Sequence, residues 1–234
     1  MQSSNKKIPP LGIVFDSAMG RKIDDVLTLG FIFGLEGKSE PEIRVISITI
    51  SHGNLKAAAF CDAMAWFFTD WKQREIPKRF RRRHAWPGGG KALPVGLLIE
   101  NSVLPDTPML TSTLSQKDTD GKLSYRHDIH KISDTADVAA VIRNAFTSEH
   151  DQNTAVILTG PATNLARLLS LRGAKELIKR KVRILVVEAG THPEGDPDYN
   201  ITRDIPAAQK LFVEWPTPIV VVGAEVGRAL KYPA

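Results

Sequence analysis

Five short apolar runs constrain this chain more than anything else in it. They are "GIVFD" (12–16), "RVISITI" (44–50), "TAVILTG" (154–160), "VRILVVEAG" (182–190) and "TPIVVVG" (217–223). Each is rich in β-branched residues, and each is continuous rather than alternating. A strand with one wet face alternates; a strand covered on both faces does not, so these runs suit buried parallel strands. Helical patterns stand between most of them. "DDVLTLGFIFGLEG" follows the first run, "LKAAAFCDAMAWFFTDW" the second, "TNLARLLSLRG" the third and "IPAAQKLFVEW" the fourth. Strand alternating with helix predicts an α/β fold: an open, mostly parallel, Rossmann-like sheet with helices on both faces.

A sheet of this kind needs a large core, and 234 residues of which 42% are hydrophobic can bury one. One domain over 1–234 is expected, carrying an irregular basic insertion at about 72–125. Residues 76–125 are rich in Pro, Gly, Ser, Thr and charge, with "LPVGLL" (93–98) the only strand-like piece. Segments this long are functional or disordered more often than structural. "TADVAAVIRNAFTSEH" (135–150) then reads as a helix leading into the third run.

The formal net charge of +5 comes largely from "KQREIPKRFRRRH" (72–84). Such a run can bind nucleic acid or an anionic surface. A solvated loop is favoured over nucleic acid, because Pro77 and the "PGGG" at 87–90 flank the run and no second segment of that density extends it. Residues 72–91 are expected to be irregular. The lone cysteine, Cys61, lies among apolar neighbours and excludes an internal disulfide. No apolar stretch of about 18 residues is present, so no membrane span is expected. No signal peptide is visible, which makes the cytoplasm the default compartment.

In an open α/β sheet, ligands bind beyond the carboxyl ends of the strands. After the first run stand Asp16, Asp24 and Asp25; after the second, His52 and Asn54. After the third come Thr159, Thr163 and Asn164. Glu188, His192, Asp198 and Asn200 follow the fourth, and Glu225 the fifth. Carboxylates, carboxamides and hydroxyls suit an oxygen-loving cation and sugar hydroxyls. No Gly-rich phosphate cradle is present. Each residue also has a plainer reading. Asp24 and Asp25 can be first-turn acids favoured by a helix dipole, and Asn54, Thr163 or Asn164 can be helix caps. Their convergence at the same ends of the strands favours a site.

The order of these motifs resembles the inosine/uridine-preferring nucleoside hydrolase family. Its members open with D-x-D-x-G followed by a D-D pair, and one branch carries a longer loop close to D-T-D-M-G-N-D-I-D-D. The loop here reads "DSAMGRKIDD" and aligns without a gap. "SHGN" with "KAAAFCDA" resembles the ribose-contacting loop and helix after the second strand. "ILTGPATNLARLL" resembles T-G-P-x-T-N-L-A, and "PDYNITRDIPAAQKLF" resembles the later E-F-N segment with its D-x-x-A-A. The resemblance spans roughly 11–228.

This resemblance implies the nucleoside hydrolase fold and cleavage of the N-glycosidic bond of ribonucleosides. A calcium ion would bind the attacking water and the ribose hydroxyls, and an aspartate would take the proton from that water. By the same resemblance Asp24 matches the general base. Asp25, Asp16 and the carbonyl of Thr159 match metal ligands. Asn54, Asp198 and Asn200 match ribose-binding residues, with Asp198 where the family has a glutamate. The implied partner is a ribonucleoside or sugar, and a homo-oligomer is left open.

The chain also departs from the pattern. Ala18 stands where a calcium-ligating aspartate is expected, and Arg21 and Lys22 replace a polar residue and an acid. The family's last calcium-ligating aspartate and a histidine beside the leaving base fall beyond the segment matching "GAEVGRALKYPA". Calcium is therefore expected to bind weakly or not at all. A side-chain cation, Lys22 before Arg21, is expected in or beside the acid cluster in its place. Two functional readings follow: a nucleoside hydrolase, or a silent member of the family that binds a sugar, nucleoside or protein. A third, a phosphatase with Asp16 as nucleophile, is weakened because Ala18 replaces the second acid such enzymes use.

Overall fold

The structure, a computed structural model, describes residues 9–38, 40–75, 93–99, 104–193, 195 and 197–230, with the backbone alone for 69–75. The five runs become strands β1 (Leu11–Ser17), β2 (Ile43–Ile50), β4 (Thr154–Leu158), β5 (Val182–Glu188) and β6 (Ile219–Val222). The strand-like piece of the insertion adds β3 (Val95–Leu97) at one edge. All pairings are parallel, and the order is β3-β2-β1-β4-β5-β6. The chain moves outward from β1 to β3 and then returns to the middle as β4. The sheet order therefore reverses between β1 and β4, where a crevice opens beyond their carboxyl ends.

The helices cover both faces. On one side lie α1 (Ile23–Glu36), α2 (Leu55–Glu75) and α3 (Pro108–Ser115). They bury Leu29, Ile32, Phe33, Ala57, Cys61 and Leu110 against Ile13 and Phe15 of β1 and Ile48 and Ile50 of β2. On the other side lie α4 (Val138–Ser148), α5 (Thr163–Leu169), α6 (Ala174–Lys181) and α8 (Ile205–Glu214), with the single turn α7 (Tyr199–Thr202) before α8. They pack Ile142, Phe146, Leu165, Leu168, Ile178 and Leu211 against Val14, Val156, Leu158 and Leu185. Each fully buried side chain of this size contributes about 1.5–3 kcal/mol. Cys61 is a packed core residue at 0% exposure, and burial pushes its thiol pKa upward. A last short helix, α9 (Ala224–Ala229), follows β6.

Local chemistry sets the helix starts. Asp137 accepts from the Ala140 amide, Asp198 from Ile201 and Asp204 from Ala207. α1 begins at Lys22 without a side-chain cap; Asp24 and Asp25 supply first-turn negative charge instead. Helix α6 had no counterpart among the helical patterns of the sequence, because "AKELIKRK" buries only Ala174 and Ile178. In the insertion, residues 72–75 continue α2, and 76–92 lie outside the described residues. No described helix is long and apolar enough to cross a membrane.

Candidate active site

The loop after β1 and the first residue after β4 meet where the sheet order reverses. The Thr159 amide donates to the Asp16 carbonyl at 2.8 Å. Gly160 follows, and it has no room for a side chain. A Cβ there would lie 2.7 Å from the Ala18 nitrogen and 2.9 Å from the Ser17 carbonyl carbon. The "TGP" turn is thus pressed against the backbone of the "DSAMG" loop, which lies over the end of β4. On its other side this loop is tied to "SHGN". Ser51 Oγ donates to the Ser17 carbonyl at 3.2 Å. His52 bridges the Met19 carbonyl, at 3.0 Å from Nε2, and the Asn54 amide, which donates to Nδ1 at 3.3 Å. That pattern assigns the neutral tautomer with the proton on Nε2. Burial lowers the His52 pKa, in keeping with it.

The three acids of the opening loop have different surroundings. Asp16, at 0% exposure, accepts from Asn164 Nδ2 at 2.8 Å, and its Oδ2 has no hydrogen-bond partner. Burial pushes its carboxyl up to about 7, although the Asn164 bond opposes the shift. Asp25, also buried, accepts from Thr159 Oγ at 2.5 Å. Burial raises its pKa to about 7 as well; the Thr159 bond lowers it, and the charges of Asp24 and Glu188 raise it. Asp24 is half-buried and accepts the Asp25 amide at 2.9 Å. It lines a cavity of about 550 Å³ on the α1 side of β4, β5 and β6. Glu188 faces the same cavity. Its pKa is raised by burial and by Asp24 and Asp198, and lowered by Lys22 and Arg21.

Asn200 connects the ends of β4 and β5. Its Nδ2 donates to the Glu188 carbonyl at 2.9 Å and to the Thr159 carbonyl at 3.3 Å. Asp25 and Asn200, 175 positions apart by their numbers, therefore meet on one residue, Thr159. Asp198 caps α7 beside Glu188. Asn54 takes the capping role that its position also allowed. Its Oδ1 accepts from Lys56 and Ala57, and its Nδ2 donates to the Leu104 carbonyl and to Asp106. Its amide is committed to α2 and to the later part of the insertion.

The cations of the loop separate. The Arg21 guanidinium lies over the Tyr199 ring, 3.8 Å from its centroid. Lys22 lines the cavity with Asp24 and Glu188. Two residues gain importance beyond what the sequence signalled. Asn164, which reads equally well as a helix cap, instead serves Asp16. Glu188, named from the sequence only as one of the residues at the strand ends, lines the cavity beside Asp24.

The donors expected for calcium do not make a calcium cage. That ion takes about six to eight oxygens. Here Asp25 Oδ1 accepts the Thr159 hydroxyl, the Thr159 carbonyl accepts the Asn200 amide, and Asp16 Oδ1 accepts the Asn164 amide. Ala18 contributes a buried methyl group. Asp16 Oδ2 is buried without a partner, as are Ser17 Oγ, Thr49 Oγ1 and Asn164 Oδ1, but only the first of these four is a carboxylate oxygen. Among the described residues, no group of three or more His, Cys, Asp or Glu is placed to hold a metal ion. Full burial also removes Asp16 as a phosphatase nucleophile, since no substrate phosphorus can reach it.

Comparison with solved structures agrees with this topology. An inosine-uridine preferring nucleoside hydrolase from Bacillus anthracis superposes with a TM-score of 0.61 at 15% identity, over 95% of this chain and 68% of its own. A purine-preferring ribonucleoside hydrolase from Gardnerella vaginalis gives 0.52 at 19% identity, over 92% of this chain and 61% of its own. The type III effector protein XopQ, solved in complex with adenosine diphosphate ribose, gives 0.56 at 16% identity, over 92% and 56%. The chain thus spans between about half and two thirds of the length of these proteins. No curated protein matches it in sequence. The family profile described as inosine-uridine preferring nucleoside hydrolase matches residues 13–233, nearly the whole chain, and the chain belongs to that family.

Proposed function

We propose that this chain binds a ribosyl compound in the cavity beside Asp24 and Glu188, and that recognition rather than turnover is its main property. The carrying observation is the bonding of the inherited metal donors. Asp25, Thr159 and Asp16 hold one another's loops through Asn200 and Asn164, and Ala18 offers no oxygen beside them. The two carboxylates that do line the cavity suit sugar hydroxyls, which donate well to ionised oxygens. The cavity volume of about 550 Å³ falls within the range of small-molecule sites. The adenosine diphosphate ribose bound to XopQ supports a ribosyl class of ligand.

Hydrolysis of a ribonucleoside is the second reading, favoured by one observation: Asp24, the matched general base, lines the cavity. Water would attack C1′ as the N-glycosidic bond breaks, and Asp24 would accept a proton from that water. Asp24 and Glu188 are the two carboxylates of the cavity lining that would orient the water.

Calorimetric titration with ribose, inosine and uridine tests the first reading, and release of reducing sugar tests the second. Saturable binding of ribose or a nucleoside, weakened in Asp24→Asn and Glu188→Gln, supports the proposal. Lack of binding by all three compounds overturns it. Ribose release abolished by Asp24→Asn promotes the second reading to the main one.

A further inference from the structure

The cavity that holds Asp24 and Glu188 also carries two cations, Lys22 from the start of α1 and Arg228 from α9. Both are exposed, and neither closes an ion pair with a carboxylate among the described residues. The rest of the lining includes Ile157, Val186 and Val222, which offer no hydrogen bonds. A neutral nucleoside has hydroxyls for the carboxylates and a flat base for the apolar floor. It leaves both cations unused.

We propose, resting on the ribosyl-binding reading, that the ligand is a phosphorylated ribosyl compound, with its sugar at Asp24 and Glu188 and its phosphate at Lys22 and Arg228. With two carboxylates and two cations, the lining is formally neutral. Without the cations it would carry two negative charges and repel a phosphate group. Lys22 and Arg228 turn the same cavity into one that a dianion can enter, and ammonium and guanidinium groups are strong phosphate partners. The formal net charge of +5 draws anions toward the protein at low salt. The departure of the opening loop from its family's pattern, Lys22 in place of an acid, then alters ligand choice, while Ala18 stands where the metal-ligating aspartate is expected.

Titration with ribose, ribose 5-phosphate and inorganic phosphate at low and moderate salt separates the possibilities. Ribose 5-phosphate should bind at least about tenfold more tightly than ribose, a margin of about 1.4 kcal/mol. The margin should shrink as salt rises. The Lys22→Gln, Arg228→Gln double variant should lose it, while removing equal charge on the opposite face with Arg143→Gln and Lys179→Gln should keep it. All four side chains are exposed, so folding is not at issue. Equal affinity for ribose and ribose 5-phosphate overturns this inference and leaves the ribosyl reading standing. Inorganic phosphate binding as tightly as ribose 5-phosphate, with no binding of ribose, overturns the ribosyl reading itself. Retention of the margin in the double variant overturns the assignment of the two cations.

Discussion

Thr159 donates its hydroxyl to Asp25 at 2.5 Å, joining the end of β4 to the first turn of α1 where the sheet order reverses. Removing that donor leaves a buried carboxyl with less to stabilise its charge. Thr159→Val is expected to lower stability by about 1.5–3 kcal/mol, the range for hydrogen bonds to charged groups. The bond lowers the Asp25 pKa, so its loss should matter more at pH 8 than at pH 5, where the carboxyl is neutral in either protein. Thr159→Ser keeps the hydroxyl and should recover most of the loss. Urea denaturation at the two pH values checks this; equal losses at both would show that the hydroxyl only fills space.

Asp16 gives the protein an unusual pH dependence. Its folded pKa of about 7 lies above the reference value of 3.8. Between these values the folded state binds more protons than the unfolded state, so stability falls as pH rises through this window and levels off above it. A shift of this size corresponds to at most about 4 kcal/mol. His52 acts in the opposite sense: its pKa is lowered, so its contribution grows as pH rises toward 6.5. The decline should therefore run from about pH 4 to pH 7, opposed by His52 below pH 6.5, and flatten above pH 7. Asp16→Asn keeps the shape and cannot ionise. Its melting temperature should vary less across that interval than the parent's, and an equal slope would assign the effect elsewhere.

The parts of this fold that were legible in the sequence are those that depend on local pattern. Continuous β-branched runs marked the buried strands, and residues just beyond them marked the rim. The three-residue strand β3 was faint because it is short and sits among turn-forming residues. Helix α6 was invisible because its apolar face is little more than Ala174 and Ile178. At the site, position alone showed that Asp16, Asp25, Thr159 and Asn200 share a rim. It could not show that they bond to one another, because the Asn164–Asp16 bond spans 148 positions and the Thr159–Asp25 bond 134. Nor could pattern decide between the two roles open to Asn54. Only the course of the later insertion, which brings Leu104 and Asp106 to its amide, does that.

Gly160 carries a different constraint, that of close backbone approach. An added Cβ would meet the Ala18 nitrogen at 2.7 Å and Ser51 Oγ at 2.9 Å, and backbone cannot rotate away as a side chain can. Gly160→Ala is expected to lower stability by about 1–3 kcal/mol through overpacking, and to push the "DSAMG" loop off the end of β4. Ligand affinity should fall with it, because Asp24 stands in the first turn of α1, which that loop leads into. Denaturation together with ribose titration measures both. A variant as stable as the parent, with unchanged affinity, would show that the two loops can separate at no cost.

Ala18 and Lys22 decide whether calcium has any part in this protein. A millimolar addition to a micromolar site would stabilise it by about 4 kcal/mol, which no thermal melt would miss. With Asp25, Thr159 and Asp16 bonded to protein partners, the parent is expected to show no rise in melting temperature with millimolar calcium. Ala18→Asp with Lys22→Asp gives the loop the two acids that its resemblance to the longer-loop pattern implies. Ala18 is 1% exposed, so the new carboxylate is buried, on a loop that already carries the buried Asp16. Without metal, the added charge and bulk should destabilise the double variant by about 1–3 kcal/mol, or force a carboxyl to take up a proton. A calcium ion offsets both effects, so the variant should regain stability with calcium and lose it again with chelator. Stabilisation of the parent by calcium, reversed by chelator, would mean that Asp25 and Thr159 can release their present partners to a metal. The reading of this site as a bonded hub of loops would then give way to a working metal centre.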